Sequence, residues 1–146
     1  MPLFAPDLMN MAEMRVADAQ ALAAAERWDG AYYIAGYAVE FGLKAVIASG
    51  VQAGLFPGKP RFAGVWTHDF VELVRAAAIG PILTARRRTT PRFDWNWRTV
   101  AAWSEAARYR PTGAVSSPRA KSMIVAVSEA ETGVLPWLKT CCTPKT

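Results

Sequence analysis

Histidine is nearly missing from this chain: His68 is the only one in 146 residues. Cysteine is scarce too, with Cys141 and Cys142 side by side in the ending "TCCTPKT". One histidine and two adjacent cysteines suit neither a zinc site nor a disulfide framework, so no metal and no cofactor are expected. Residues 140–146 read as a flexible tail. No apolar run reaches membrane-spanning length, because Glu40 and Lys44 interrupt the best candidate. The start "MPLFAPDLMN" has no basic segment and meets Asp7 early, which argues against a secretory signal and for a cytoplasmic protein. A Walker-type loop, GxSxG and HExxH are absent, and the glycines from Gly54 to Gly64 lack phosphate-loop spacing. No segment sustains the two-residue alternation of a strand, and no solenoid-length repeat appears.

What is present is apolar and bulky. Apolar residues make up 52% of the chain, with six Trp and five Met, enough for one compact domain with a core over about residues 8–139. Charge is uneven. Nine of the 17 bases but two of the 12 acids lie between Arg86 and Lys121, so that segment carries +7 and the remainder −2. A basic half suits a phosphate-bearing partner, and it also suits an ordinary solvated surface.

The pattern predicts an all-α chain: an antiparallel up-and-down four-helix bundle with room for an extra short helix. The first helix is expected from an Asp7 cap to Glu26, with Leu8, Met11, Met14, Ala17, Ala21 and Leu22 inward. The second should run from Asp29 to Ser49, stopped by Gly50. It is rich in small residues, Gly36 and Gly42 among them, which are tolerated where a neighbour packs closely. Residues 51–66 form a Gly/Pro loop. A third helix opens at a Thr67 cap, buries Phe70, Leu73, Val74 and Ala77, and ends at Gly80 and Pro81. "PILTARRRTTPRF" reads as a second connector with room for a short helical turn. A fourth helix starts at an Asp94 cap and continues through Tyr109. A fifth begins at Ser117 with Pro118 in its first turn, turns Met123, Ile124, Val127 and Ala130 inward, and kinks at Pro136.

The ordered segments "YYIAGYAVEFGLKAVI", "THDFVELV", "WSEAARY" and "GVLPWL" resemble the HEPN domain, over roughly Ala12 to Leu138. The resemblance implies a four-helix bundle similar to the C-terminal helical domain of kanamycin nucleotidyltransferase. It also implies a homodimer, nucleotide or RNA binding, and a minimal nucleotidyltransferase as partner in a toxin–antitoxin-like pair. One branch of that family cleaves RNA through an Arg-x(4–6)-His motif on a late helix. Here the late Arg108 is followed by "YRPTGA", without histidine. Arg61 and His68 have the bare spacing but sit at a loop and a helix start. Binding is therefore the main expectation, and a metal-independent ribonuclease the alternative. A non-catalytic protein-interaction module is the third.

The residues expected to line a ligand cleft are Tyr37, Glu40, Lys44, His68, Asp69, Arg108 and Tyr109. Glu40 and Lys44 share a helix face, either as a surface ion pair or as a half-buried site in which Lys44 meets phosphate. His68 and Asp69 open a helix, where polar residues belong and where an anion can also sit. Arg108 can satisfy a helix end, or fork onto a phosphate or onto Glu40, with Tyr109 stacking on a base. "RRRTTPRFDWNWR" interleaves bases and rings, as a single-strand binder would, but the preferred reading puts Trp95 and Trp97 in a core or dimer interface and Arg86, Arg87 and Arg88 in a solvated connector.

Overall fold

The structure is a computed structural model and describes residues 3–51 and 66–142. The chain is all-α, as its periodicity predicts. Its helices are more numerous and shorter than the pattern suggests: α1 Ala5–Ala24, α2 Trp28–Ser49, α3 Phe70–Ala77, α4 Gly80–Thr89, α5 Pro91–Ala101, α6 Ser117–Ser128 and α7 Val134–Cys141, with a 3-10 helix over Glu105–Tyr109. Helix α2 is the hub, flanked by α1, α3, α6 and α7, and α5 packs outside α6. Among the described residues, no helix is long and apolar enough to cross a membrane.

Helix α1 starts before Asp7, which lies in its first turn with Pro6. A three-residue turn follows, with Glu26 in the left-handed region at φ 60°. This reverses the chain into α2. The buried face of α1 is Ala5, Leu8, Met9, Ala12 and Ala19. Met14, Ala17 and Ala21 are exposed instead of inward. Alanines fix the phase of a helical stripe weakly, because they pack on any side. Here Ala12 and Ala19 are fully buried and allow close approach to α2.

Helix α2 is buried over most of its length and ends at Gly50 as expected. Its glycines are occupied by neighbours. A Cβ on Gly42 would sit 2.8 Å from a methyl of Leu135, and one on Gly36 would sit 2.0 Å from the Trp103 ring.

Asp69, not Thr67, caps α3. The Val71 and Glu72 N–H groups donate to its Oδ1 at 2.8 and 3.3 Å. Phe70 and Leu73 are buried, and Val74 and Ala77 half-buried. The helix stops at left-handed Ala78, and Gly80 and Pro81 open α4 where they were expected to end α3. A proline in a first turn loses only an N–H that has no partner there. The supposed connector is therefore helix α4, with Arg86, Arg87 and Arg88 in its last turn, where cations suit the dipole.

Pro91 likewise starts α5 three residues before Asp94, which lies in the first turn and pairs with Arg87 at 2.6 Å and Arg98 at 2.8 Å. The helix ends at Ala101, so Arg108 and Tyr109 belong to the separate 3-10 helix. Helix α6 ends at Ser128, leaving Ala130 exposed in a turn. Gly133 closes that turn: a Cβ there would meet the Glu129 carbonyl at 2.3 Å. Pro136 falls in the first turn of α7 and kinks nothing. Cys141 ends α7 half-buried, so 140–142 are not a frayed tail, while 143–146 lie outside the described residues.

Candidate functional site

Tyr33, Tyr37, Glu40 and Lys44 are spaced by four, three and four residues, so they descend one face of α2. That face points inward. The Glu40 side chain is 2% exposed and Lys44 8%, with Lys44 Nζ 3.2 Å from Glu40 Oε2. The pair is internal, not a surface ion pair. Lys44 also lies 5.8 Å from the Trp66 ring centroid.

The other Glu40 oxygen is used across the fold. His68 Nδ1 lies 2.6 Å from Glu40 Oε1, and His68 Nε2 lies 3.1 Å from Glu105 Oε2. One imidazole thus joins α2, the entry to α3 and the 3-10 helix. The Nδ1–Glu40 contact is a hydrogen bond between side chains 28 positions apart. His68 is 41% exposed and Glu105 35%, whereas Glu40 is sealed behind them.

Rings wall this cluster. Trp103 stacks on Phe70 at 5.3 Å and 13°, and meets Tyr37 edge-on at 5.4 Å. Tyr33 and Tyr37 join hydroxyls at 3.2 Å. Burial first, then the Tyr33 hydrogen bond and the charges around it, including Glu40 and Glu105, push the Tyr37 phenol above its usual range. Tyr37 therefore remains a neutral phenol.

Arg108 does not reach Glu40. Its Nη2 donates to the Tyr109 hydroxyl at 2.8 Å, and its guanidinium lies 4.7 Å from that ring's centroid. The Tyr109 phenol, followed by Tyr33, holds the Arg108 pKa above its ordinary value. Tyr109 itself is 74% exposed. Asp69 is committed to capping α3. Arg61 lies outside the described residues.

Two concavities adjoin the 3-10 helix. A groove of about 610 Å³ is lined by His68, Asp69, Glu105, Trp103 and their neighbours, with no Arg or Lys among the described residues. A smaller one of about 260 Å³ lies by Tyr33, Arg108 and Arg110, with Asp29 at its edge. Both Asp29 oxygens accept backbone N–H bonds, from Gly113 at 2.7 Å and Val115 at 3.0 Å. These bonds lower its pKa. Among the described residues, no group of three or more His, Cys, Asp or Glu could hold a metal ion.

The structure therefore brings Tyr37, Glu40, Lys44 and His68 together, and sets Arg108 and Tyr109 apart from them at the end of the 3-10 helix. Sequence reasoning missed Glu105, Trp103, Arg110 and the loop-binding role of Asp29. The signal for Trp103 was Gly36 itself, a glycine in mid-helix awaiting a large neighbour. In "RRRTTPRFDWNWR", most bases have partners: Arg87 and Arg98 hold Asp94, and Arg92 holds Glu129 at 3.3 Å. Arg86 donates to the Glu131 carbonyl. Trp97 is buried and Trp95 is 62% exposed. No family model matches this chain, and no curated protein or solved structure matches it either.

Proposed function

We propose that this chain is a HEPN-like bundle that binds a phosphate-bearing ligand, a nucleotide or RNA, at the Arg108 end of the 3-10 helix. The observation that carries this reading is the pocket where Arg108 and Arg110 converge beside Tyr33. Guanidinium forks match phosphate oxygens, and exposed Tyr109 offers a face for a base. The larger groove suits phosphate poorly, since Asp69 and Glu105 line it and His68 is the one basic group among the described residues there. In this reading Lys44 is an internal counter-charge to Glu40 rather than a phosphate ligand. The Glu40–His68–Glu105 clamp positions the 3-10 helix that presents Arg108.

The test is a thermal-melt panel with nucleotides and a short RNA on wild type, Arg108→Ala and Lys44→Met. A ligand of the native state raises the melting temperature by mass action. A rise in wild type that Arg108→Ala loses supports the reading. No rise with any nucleotide or RNA at low salt removes it. The resemblance brings with it a homodimer and a minimal nucleotidyltransferase partner, which light scattering and co-purification test directly.

A second reading is metal-independent RNA cleavage by His68. Its support is an imidazole at a groove with a buried carboxylate behind it, the arrangement used to orient a general base. Substrate would have to displace Glu105 from Nε2. Cleavage in the presence of a chelator, abolished by His68→Ala, supports this; RNA left intact by concentrated wild type removes it.

A further inference from the structure

An acid beside two arginines in a pocket for phosphate needs a reason. Among the described residues, Asp29 is the one carboxylate that lines the pocket with Arg108 and Arg110. A free carboxylate there would repel an anion. Asp29 is not free. It stands in the first turn of α2. Its Oδ2 accepts the Gly113 N–H at 2.7 Å and its Oδ1 accepts the Val115 N–H at 3.0 Å. These partners lie 84 and 86 positions further along the chain, so the two bonds tie the loop after the 3-10 helix to the start of α2.

That loop begins with Arg110. On one side Arg110 closes the 3-10 helix, its N–H donating to the Ala107 carbonyl at 3.2 Å. On the other, Pro111 leads into a tight turn in which the Ala114 N–H donates to the Pro111 carbonyl at 3.1 Å. Gly113 in this turn has φ 85°, a conformation that favours glycine. The Arg110 guanidinium lies over the buried Tyr32 ring, 5.8 Å from its centroid, with Arg119 at 5.0 Å from the same ring. Among the described residues, neither Arg108 nor Arg110 forms an ion pair with a carboxylate. A ring can hold a cation without neutralising it, so Arg110 keeps its charge. Its backbone is fixed by the 3-10 helix before it and by the turn bound to Asp29 after it.

We infer that Asp29 is a positioning residue, whose two backbone bonds set the loop over residues 110–115 so that Arg110 meets the ligand phosphate beside Arg108. This role rests on the phosphate-binding reading above and explains why a carboxylate stands next to two guanidiniums. It also reverses the sign of a simple charge effect. Asp29→Asn removes a negative charge from the pocket wall, so an acid that acted through its charge alone would, once replaced, let an anion bind more tightly. An amide offers one acceptor oxygen where the carboxylate offers two, so the loop loses one of its backbone bonds. A positioning acid, once replaced, leaves weaker binding.

The experiment is isothermal titration of adenosine monophosphate at low salt. It compares wild type, Asp29→Asn, Arg110→Gln and the double variant, with far-UV circular dichroism confirming the fold of each. Gly113→Ala, alone and combined with Arg110→Gln, disturbs the same turn at φ 85° without changing any charge and replaces Asp29→Asn in the comparison should that variant not fold. Arg110→Gln should weaken binding by about tenfold or more, the loss of one hydrogen bond to a charged group. Asp29→Asn should also weaken it, by no more than Arg110→Gln does. In the double variant Asp29→Asn should add nothing to the loss from Arg110→Gln, because Asp29 acts through Arg110. A general loosening of the fold would instead lower affinity by the same factor with or without Arg110. Equal or tighter binding by Asp29→Asn overturns the positioning role and leaves the phosphate pocket standing. Losses that multiply in full in the double variant overturn it too, as does wild-type affinity in Arg110→Gln. Absence of binding by wild type removes the phosphate reading itself, and this role with it.

Discussion

Gly36→Ala tests how the aromatic wall is built. An added Cβ would lie 2.0–2.2 Å from three atoms of the Trp103 indole. Carbon atoms in contact prefer about 3.5 Å or more, so the ring would have to retreat by about 1.5 Å. It has nowhere to go easily: Trp103 is buried, stacked on Phe70 and held edge-on by Tyr37. Overpacking of this kind costs about 3 kcal/mol at the upper end of the usual range, and alanine recovers about 1 kcal/mol of helix propensity, leaving a net loss of about 2 kcal/mol. Gly80→Ala is the matched comparison, because nothing lies within 4 Å of a Cβ there. It should be neutral or stabilise by up to about 1 kcal/mol. Urea unfolding followed by tryptophan fluorescence and circular dichroism measures both. A Gly36→Ala midpoint equal to or above wild type would refute the packing argument.

Three further expectations concern charge. Glu40→Leu removes the carboxylate paired with the buried Lys44 ammonium and should cost about 3–5 kcal/mol, whereas Glu40→Leu with Lys44→Met should recover part of that loss; strictly additive urea midpoints would contradict the buried coupling. Asp29 has a depressed folded pKa because two backbone N–H groups favour its carboxylate. Its contribution is therefore complete above the unfolded value and lost as pH falls through the folded one. The melting-temperature gap between wild type and Asp29→Asn should shrink from neutral pH down to about pH 2, and a constant gap would exclude the effect. Burial pushes the Cys141 thiol up to about 11 and raises that of Cys142. At neutral pH both should react with iodoacetamide more slowly in the native protein than in urea, and equal rates would show that they are not shielded.

The helical class and the extent of α2 were legible because its apolar pattern is long and Gly50 follows it. Helix ends were less so. Chain reversal falls on Glu26 and Ala78, neither of which advertises a left-handed conformation as glycine would. Pro81 was taken as an ending and Pro91 as part of a connector where each begins a helix, since proline is compatible with either and only tertiary packing decides. The same limit applies to the site. The spacing of Glu40 and Lys44 places them on one face but does not say which way that face turns. His68 was visible as a lone imidazole at a helix start, yet its second carboxylate, Glu105, comes from 37 positions later and leaves no local trace. Arg110 and Arg119 read as surface bases until their shared ring, Tyr32, is seen beneath them.

The imidazole bridge also bears on the order in which the molecule assembles. His68 is separated from Glu40 by 28 positions and from Glu105 by 37, so both bonds close long loops. Loop-closure entropy must be met before such contacts give anything back, whereas α1 and α2 meet through a three-residue turn. The helical hairpin is thus suited to form early and the bridge late. Contacts absent from the transition state act on the unfolding rate alone. Weakening the bridge should therefore leave the speed of folding nearly unchanged and shorten the lifetime of the folded chain, which makes His68 a latch on persistence rather than a guide to folding.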